Sequence, residues 1–419
     1  MERLKQYTYY ILRKTEKYTK IDMIYATKSG FWLMSNQVFG AAISLIISVL
    51  FAHYLSKDVF GTYKYILSIA GLATAFSLTG MNTAVTRAVA QGFDAIFKQA
   101  LLVQFKWSVP QFLFSIALSA YYFYHANTIY GISFLVISIL APISSIANTY
   151  GAFLQGKKDF RTTTVYSALS NSAYFVAMTL VIVWSQNILT LVLTYYIINT
   201  STNVFFCWRT LKKHDSKNTE ILAEDITFGK HVSAMNIVGS IASQTDNIVL
   251  YHFLGPAQLA IYSFATIIPE RIRSMFGIIS VAALPRFSEK SKTQDDHGVL
   301  SKSFRLIGLS IILVIIYVLC APYIYKLFFP QYESSLYYSQ VYSISLLVIA
   351  AYIPFPSLWA KKLQKELYII SIGLPILKII VSTVTIILWG IWGAIIAKII
   401  HYVLHLSLSL YFASPHRQQ

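Results

Sequence analysis

Apolar runs of about twenty residues recur along almost the whole 419-residue chain, and no other feature constrains its fold as much. A helix rises about 1.5 Å per residue, so about 20 apolar residues cross the ~30 Å hydrocarbon core of a bilayer. Twelve such runs are read, at residues 29–54, 62–87, 100–124, 129–155, 162–184, 187–208, 228–254, 257–284, 303–328, 335–360, 366–388 and 390–412. The loops between them are too short for a folded soluble domain. In lipid every backbone N–H and C=O needs a partner within the protein, which leaves helices or closed barrels. Unbroken runs, rather than alternating ten-residue strands, select helices. The segment before residue 29 carries charge throughout and no long apolar stretch. It is therefore no cleavable signal peptide, and the first span serves as its own insertion signal.

Composition agrees. Apolar residues make up 56% of the chain and charged ones 12%, with a mean hydropathy of +0.57. These values exclude a soluble enzyme, a disordered chain and a disulfide scaffold, and Cys207 and Cys320 form no CxxC motif. The net charge is +17, from 34 Lys and Arg against 17 Asp and Glu. A basic nucleic-acid binder would not be this apolar, so no nucleic-acid partner is expected. The basic residues instead report topology. Seven lie in the N-terminal tail and twenty in the even-numbered loops and C-terminus, among them Arg87, Lys157, Lys158, Lys213, Lys361 and Lys362. Only Lys57, Lys64 and Lys326 fall in odd-numbered loops. The positive-inside bias then puts both termini in the cytoplasm.

An internal repeat divides the chain. His53–Tyr63 resembles His252–Tyr262 at an offset of 199 residues, and at the same offset Ala84 meets Ala283 and Arg87 meets Arg286. The Lys157–Lys158 pair recurs as Lys361–Lys362. Two halves of six spans each run in the same direction, which predicts a pseudo-two-fold axis along the membrane normal and a cavity between two bundles. The expected units are a basic cytoplasmic segment 1–28, an N-lobe 29–208, a cytoplasmic loop 209–227, a C-lobe 228–412 and a tail 413–419.

Several stretches resemble one family. LFAHYLSKDVFGTYKYILSIAGLATAFSLTGMNTAVTRAVAQ is similar to the opening hairpin of Wzx-like polysaccharide-export flippases, a branch of the multidrug/oligosaccharidyl-lipid/polysaccharide superfamily. TDNIVLYHFLGPAQLAIYSFATII resembles their span 7–8 hairpin, ALPRFSEKS the cytoplasmic end of span 8, and LWGIWGAIIAKII the last hairpin. The resemblance implies a MATE-like, all-α polytopic membrane protein of about 12 helices. It also implies a non-enzymatic flippase that carries undecaprenyl-pyrophosphate-linked oligosaccharide (O-antigen, capsule or exopolysaccharide) to the outer leaflet of the bacterial cytoplasmic membrane. The partners implied are that lipid-linked glycan, membrane lipids, and a glycan polymerase with its chain-length regulator. A monomer without cofactor or metal is expected. The alternatives are a small-molecule exporter of the multidrug branch and a peptidoglycan-precursor flippase. An embedded glycosyltransferase or polymerase is disfavoured by the short outer loops, and no nucleotide or catalytic motif is present.

Charges within spans are functional candidates, because isolated charges there are costly. They are Asp246 in span 7, Glu270, Arg271 and Arg273 in span 8, Lys378 in span 11 and Lys398 in span 12. Arg271, Arg273, Lys378 and Lys398 suit pyrophosphate, the guanidinium fork matching its oxygens. Asp246 and Glu270 are the candidates for ion coupling. The competing reading pairs Glu270 with Arg273 at i,i+3, and Asp246 with Lys378 or Lys398 between helices. The first half offers the amides Asn36, Gln37, Asn148, Asn171 and Asn199, either as sugar contacts or as helix–helix bonds. His401 and His405 read as interfacial, since two histidines alone make no metal site.

Overall fold

The computed structural model describes residues 23–214, 223–289, 296–360 and 363–414. Most of the basic N-terminal segment, much of the loop between the halves, Lys361–Lys362 and the end of the tail lie outside the described residues. Among the described residues there is no strand. The helices are α1 (Met23–Tyr54), α2 (Lys57–Ala73), α3 (Met81–Ala90), α4 (Ile96–Trp107), α5 (Val109–Tyr124), α6 (Thr128–Ala147), α7 (Thr149–Gly156), α8 (Phe160–Trp184), α9 (Ile188–Lys213), α10 (Ala223–Leu254), α11 (Pro256–Glu289), α12 (Asp296–Phe328), α13 (Leu336–Tyr342), α14 (Pro354–Ala360), α15 (Gln364–Tyr368), α16 (Leu374–Trp389) and α17 (Ile391–Ala413).

Ten helical stretches among the described residues are long and apolar enough to cross a membrane. The two long helices that fall short are α10 and α11, of 32 and 34 residues. They carry Asp246 and the Glu270–Arg273 cluster, charges that the sequence marks as candidates.

Several runs read as single spans are broken in the structure. α2 gives way to a 3-10 turn at Thr74–Phe76 before α3 begins. Ser108 separates α4 from α5, where Pro110 occupies the first turn and its missing N–H costs nothing. Asn148 separates α6 from α7. Ser343–Tyr352 is a 3-10 run and Ile369–Gly373 a π segment.

α2 also starts earlier than the 62 read from hydropathy. Ser56 holds an extended backbone and its Oγ accepts the Val59 N–H at 3.3 Å, while Asp58 favours the positive end of the helix. The equivalent residue in the second half, 199 positions on, is Gly255, which turns with φ +82° into α11. The two helices thus begin at the repeat offset, at Lys57 and Pro256.

The halves meet along α2, α10 and α11. At one end Phe60 packs on Phe264 at 4.9 Å, Phe264 stacks on Tyr332 at 3.8 Å, and Tyr65 stacks on Tyr251 at 3.9 Å. At the other end the Gly80 N–H donates to Ser233 Oγ at 2.9 Å, and Arg87 reaches the buried Asp225 at 3.7 Å. Gly61 lies against the Pro256 carbonyl with no space for a Cβ. Gly61→Val therefore forces α2 off α11. Overpacking of this kind costs about 1–3 kcal/mol, to be read as a lower melting temperature in detergent.

The turns after α3, α7 and α9 gather Asp94, Lys157, Asp159, Lys213 and His214. Lys157 pairs with Asp94, and Lys213 lies 3.8 Å from Asp159. Partial burial pushes the Asp159 carboxyl up, but the Thr162 hydroxyl and amide and the Lys213 charge outweigh it and hold the group below its ordinary value. Burial, then Lys213 and Lys157, push His214 below its ordinary 6.5. A lowered histidine binds its proton more readily when unfolded, so its contribution to stability is present above pH 6.5 and is lost as pH falls towards the folded value. His214→Gln should flatten the pH dependence of the melting temperature on the acid side of 6.5. An unchanged slope would remove His214 as its source.

Candidate functional site

A cavity of about 720 Å³ opens between the halves. This falls in the ~300–1,000 Å³ range of ligand pockets. Its walls come from α2 (Phe60, Lys64), α10 (Ser243, Gln244, Asn247), α11 (Tyr262 to Ser274), the 3-10 run (Val348, Tyr352) and α17 (Lys398, His401, Tyr402, His405).

Four candidates from the sequence meet there: Glu270, Arg271, Arg273 and Lys398. They are not equivalent. Glu270 is gripped from three sides. Arg273 Nη2 donates to its Oε2 at 2.7 Å, Lys398 Nζ lies 2.8 Å from Oε1, and the Tyr342 hydroxyl donates to Oε1 at 2.6 Å. Arg273 also lies over the Tyr402 ring at 4.3 Å, a cation–π contact. Both the i,i+3 pair and an interhelical bridge are therefore present. Arg271 points to a different side of α11. Among the described residues its guanidinium takes part in no ion pair or hydrogen bond.

Lys64 is the cavity residue that hydropathy misplaces. Counted with the first outer loop although it stands at the edge of the 62–87 run, it lies two turns inside α2 and lines the cavity. The signal that identifies it is the Ser56 cap, which sets the helix start. Like Arg271, Lys64 has no carboxylate partner among the described residues. Among the described residues the cavity thus holds four cations against one carboxylate, with one unpaired cation contributed by each half. At the repeat offset Lys64 corresponds to Ser263, which lines the same cavity from α11.

Lys378 and Asp246 are placed elsewhere. Asp246, 1% exposed, and Lys378, 6% exposed, form a buried pair at 3.0 Å between α10 and α16. The ammonium also donates to the Ala242 carbonyl at 2.6 Å, and Tyr262 donates to Asp246 Oδ2 at 3.2 Å. Helix geometry explains the separation. Successive residues point about 100° apart, so Ser243, Gln244 and Asn247 face the cavity while Ala242 and Asp246 face α16.

None of the first-half amides lines the cavity. Gln37 donates from α1 to the Ser274 carbonyl of α11 at 3.0 Å, and Asn199 donates to Tyr195 of its own helix at 2.8 Å. Asn171 approaches Gly40 of α1. Asn148 is exposed at the α6–α7 break, and Asn36 is half-buried on α1. His401 and His405, read as interfacial, stand one helical turn apart on the cavity wall, and their buried Nδ1 atoms have no hydrogen-bond partner among the described residues. Among the described residues no group of three metal-ligating side chains occurs.

Comparison with known proteins follows the same lines. A family model described as "Polysaccharide biosynthesis protein" matches residues 26–291. Solved structures match over nearly the whole chain. The lipid II flippase MurJ in an inward closed conformation has a TM-score of 0.65 at 16% identity, covering 91% of this chain and 87% of MurJ. An outward-facing multidrug resistance MATE family transporter of the MOP superfamily has a TM-score of 0.62 at 13% identity, covering 92% and 94%. A MOP superfamily transporter from Pyrococcus furiosus has a TM-score of 0.63 at 14% identity, covering 94% and 97%. At such identities the likeness shows the fold. No curated protein matches in sequence.

Proposed function

The chain belongs to the polysaccharide biosynthesis protein family of MOP-superfamily flippases, and from that membership we propose that it carries undecaprenyl-pyrophosphate-linked oligosaccharide repeat units from the inner to the outer leaflet by alternating access. In this reading α10 and α11 join the ten apolar stretches as spans, giving twelve. Two lobes, 29–208 and 228–412, are related by a pseudo-two-fold axis along the membrane normal. Both termini lie in the cytoplasm, and the membrane is the bacterial cytoplasmic one. The cargo is the building block of O-antigen, capsule or exopolysaccharide, and a polymerase and chain-length regulator act on it afterwards.

The observation that carries the proposal is the charge of the cavity. A pyrophosphate concentrates negative charge on a few oxygens, and guanidinium and ammonium donors in a low-dielectric wall bind it strongly. Arg271 and Lys64 are unpaired and face the cavity from opposite halves, so a headgroup between them neutralises two charges that the protein leaves open. Lys398 and Arg273 add positive field from behind Glu270. Of the two carboxylates, Glu270 is our candidate for ion coupling, because it lines the cavity and Asp246 does not. Its protonation would release Lys398 and Arg273 towards the cargo. Lys378 and Asp246 act as a structural pair. A cationic drug would meet repulsion in this cavity, which argues against a multidrug exporter.

The test is a deletion strain and reconstituted vesicles. Loss of the protein should leave undecaprenyl-linked repeat units on the cytoplasmic leaflet, and vesicles containing it should move fluorescent undecaprenyl-pyrophosphate oligosaccharide across the bilayer. Normal surface glycan in the deletion strain, together with inactive vesicles, would end the proposal.

A further inference from the structure

The cavity has a second wall that the pyrophosphate reading does not use. Beside the cations, α10 presents Ser243, Gln244 and Asn247, and α11 adds Ser263. All four are uncharged hydrogen-bonding groups on adjacent helix faces. Ser263 borders the cavity and is only 8% exposed, and its buried Oγ has no hydrogen-bond partner among the described residues. Buried hydroxyls are ordinarily satisfied, and leaving one unpaired is costly. Asn247 is oriented by donating to Ser68 Oγ at 2.9 Å, and Gln244 by a weaker bond to Ser243 Oγ at 3.2 Å. Both amides spend an N–H on the protein, and their carboxamide oxygens take no donor from the described residues.

The space around Gln244 is set by its neighbour across the interface. A Cβ at Gly71 of α2 would stand 3.0 Å from the Gln244 amide carbon and nitrogen. An alanine there would push the carboxamide aside by a few tenths of an ångström. At the repeat offset Gly71 corresponds to Glu270, so one half uses this register for a charge and the other for room.

We infer that Ser243, Gln244, Asn247 and Ser263 form a sugar-reading wall that receives the first saccharide next to the pyrophosphate, with Gly71 setting its fit. The inference rests on the proposed function, because the anion must sit at Arg271 and Lys64 for the sugar to reach α10. The chemistry matches in kind. A pyranose carries several hydroxyl donors and no charge. Carboxamide oxygens accept from those donors, and the Ser263 hydroxyl can donate to a ring or hydroxyl oxygen. A ligand without these groups leaves the wall unpaired, which is how polar sites discriminate by hydroxyl content. Sugar preference therefore resides in the second half of the chain.

Binding is measured on the purified full chain in nanodiscs. The probes are undecaprenyl pyrophosphate alone, the same lipid carrying one hexose, and the same lipid carrying one N-acetylhexosamine. The unaltered protein should bind one glycosylated probe at least about ten-fold more tightly than the bare lipid, the value of one to two good hydrogen bonds. Gln244→Leu with Ser263→Ala should bring that ratio to near one while leaving bare-lipid affinity within about two-fold. Gly71→Ala, which displaces Gln244 without altering its chemistry, should lower the ratio as well. The inference falls if the unaltered protein shows no preference, if both variants keep it, or if bare and glycosylated probes weaken equally. Pyrophosphate recognition is read separately, as the effect of Arg271→Ala on the bare lipid, so the two readings fail on different probes.

Discussion

Arg271→Ala should cut the rate of glycan-lipid transport in reconstituted vesicles by about ten- to hundred-fold, the loss of one charge-assisted contact worth ~1.5–3 kcal/mol. The protein should remain as thermally stable as before. Unchanged stability is what makes the lost rate informative. Arg271 supports no carboxylate and takes part in no hydrogen bond through its guanidinium among the described residues. Its charge lies half-buried at the cavity without a partner, and removing it returns a desolvation cost rather than exposing another group. Arg273→Ala differs, because Glu270 and the Tyr402 ring both lose a contact. Its transport defect should come with a lower melting temperature, tempered because Lys398 and Tyr342 still hold Glu270. Arg271→Lys keeps the charge and loses the fork, so an intermediate rate is expected. Transport by Arg271→Ala at the unaltered rate would remove the pyrophosphate assignment.

Lys64 is the natural partner of this series, and it marks the limit of what hydropathy carries. The apolar runs announce helices at once, because a 20-residue span has few other fates in lipid. The 199-residue offset reappears as helix starts at Lys57 and Pro256. The charges at 270, 271, 273 and 398 do meet in one cavity. Lys64 escapes because a hydropathy run fixes its edge only to within a few residues, which leaves residue 64 at the rim and counted with the loop, whereas a helix begins at a single capping residue, which for α2 is Ser56. The breaks at Asn148 and in the 343–352 run are invisible for the same reason: they change backbone hydrogen bonding without changing hydrophobicity.

The assignment of faces is harder still. Periodicity says which residues share a side of a helix, and nothing about which side meets the lumen. Asp246 and Asn247 are neighbours in sequence, yet one is buried against α16 and the other borders the cavity. That choice is made by packing between helices more than a hundred residues apart. The amides of the first half illustrate the opposite error. Gln37 and Asn199 are polar within spans, and each spends its amide on a backbone carbonyl.

Lys378→Met should destabilise the protein by about 3–5 kcal/mol, the usual cost of orphaning a buried charge. The melting temperature in detergent should fall further than for Arg271→Ala or Arg273→Ala. Among the described residues Asp246, 1% exposed, keeps only the Tyr262 hydroxyl at 3.2 Å when the ammonium is gone, while its Oδ1 has no partner even now. The Ala242 carbonyl, at 2.6 Å from the ammonium, loses its side-chain donor as well. Asp246→Leu alone leaves the converse defect, a buried lysine beside one carbonyl. The double variant Lys378→Met with Asp246→Leu removes both charges and refills the volume, a change that elsewhere ranges from neutral to stabilising by ~1–4 kcal/mol. Recovery of the melting temperature in the double variant, with transport close to that of the unaltered protein, is the expected result. A double variant that regains stability but no longer transports would place the pair in the transport cycle, and the separation between a conducting cavity and a structural pair would have to be redrawn.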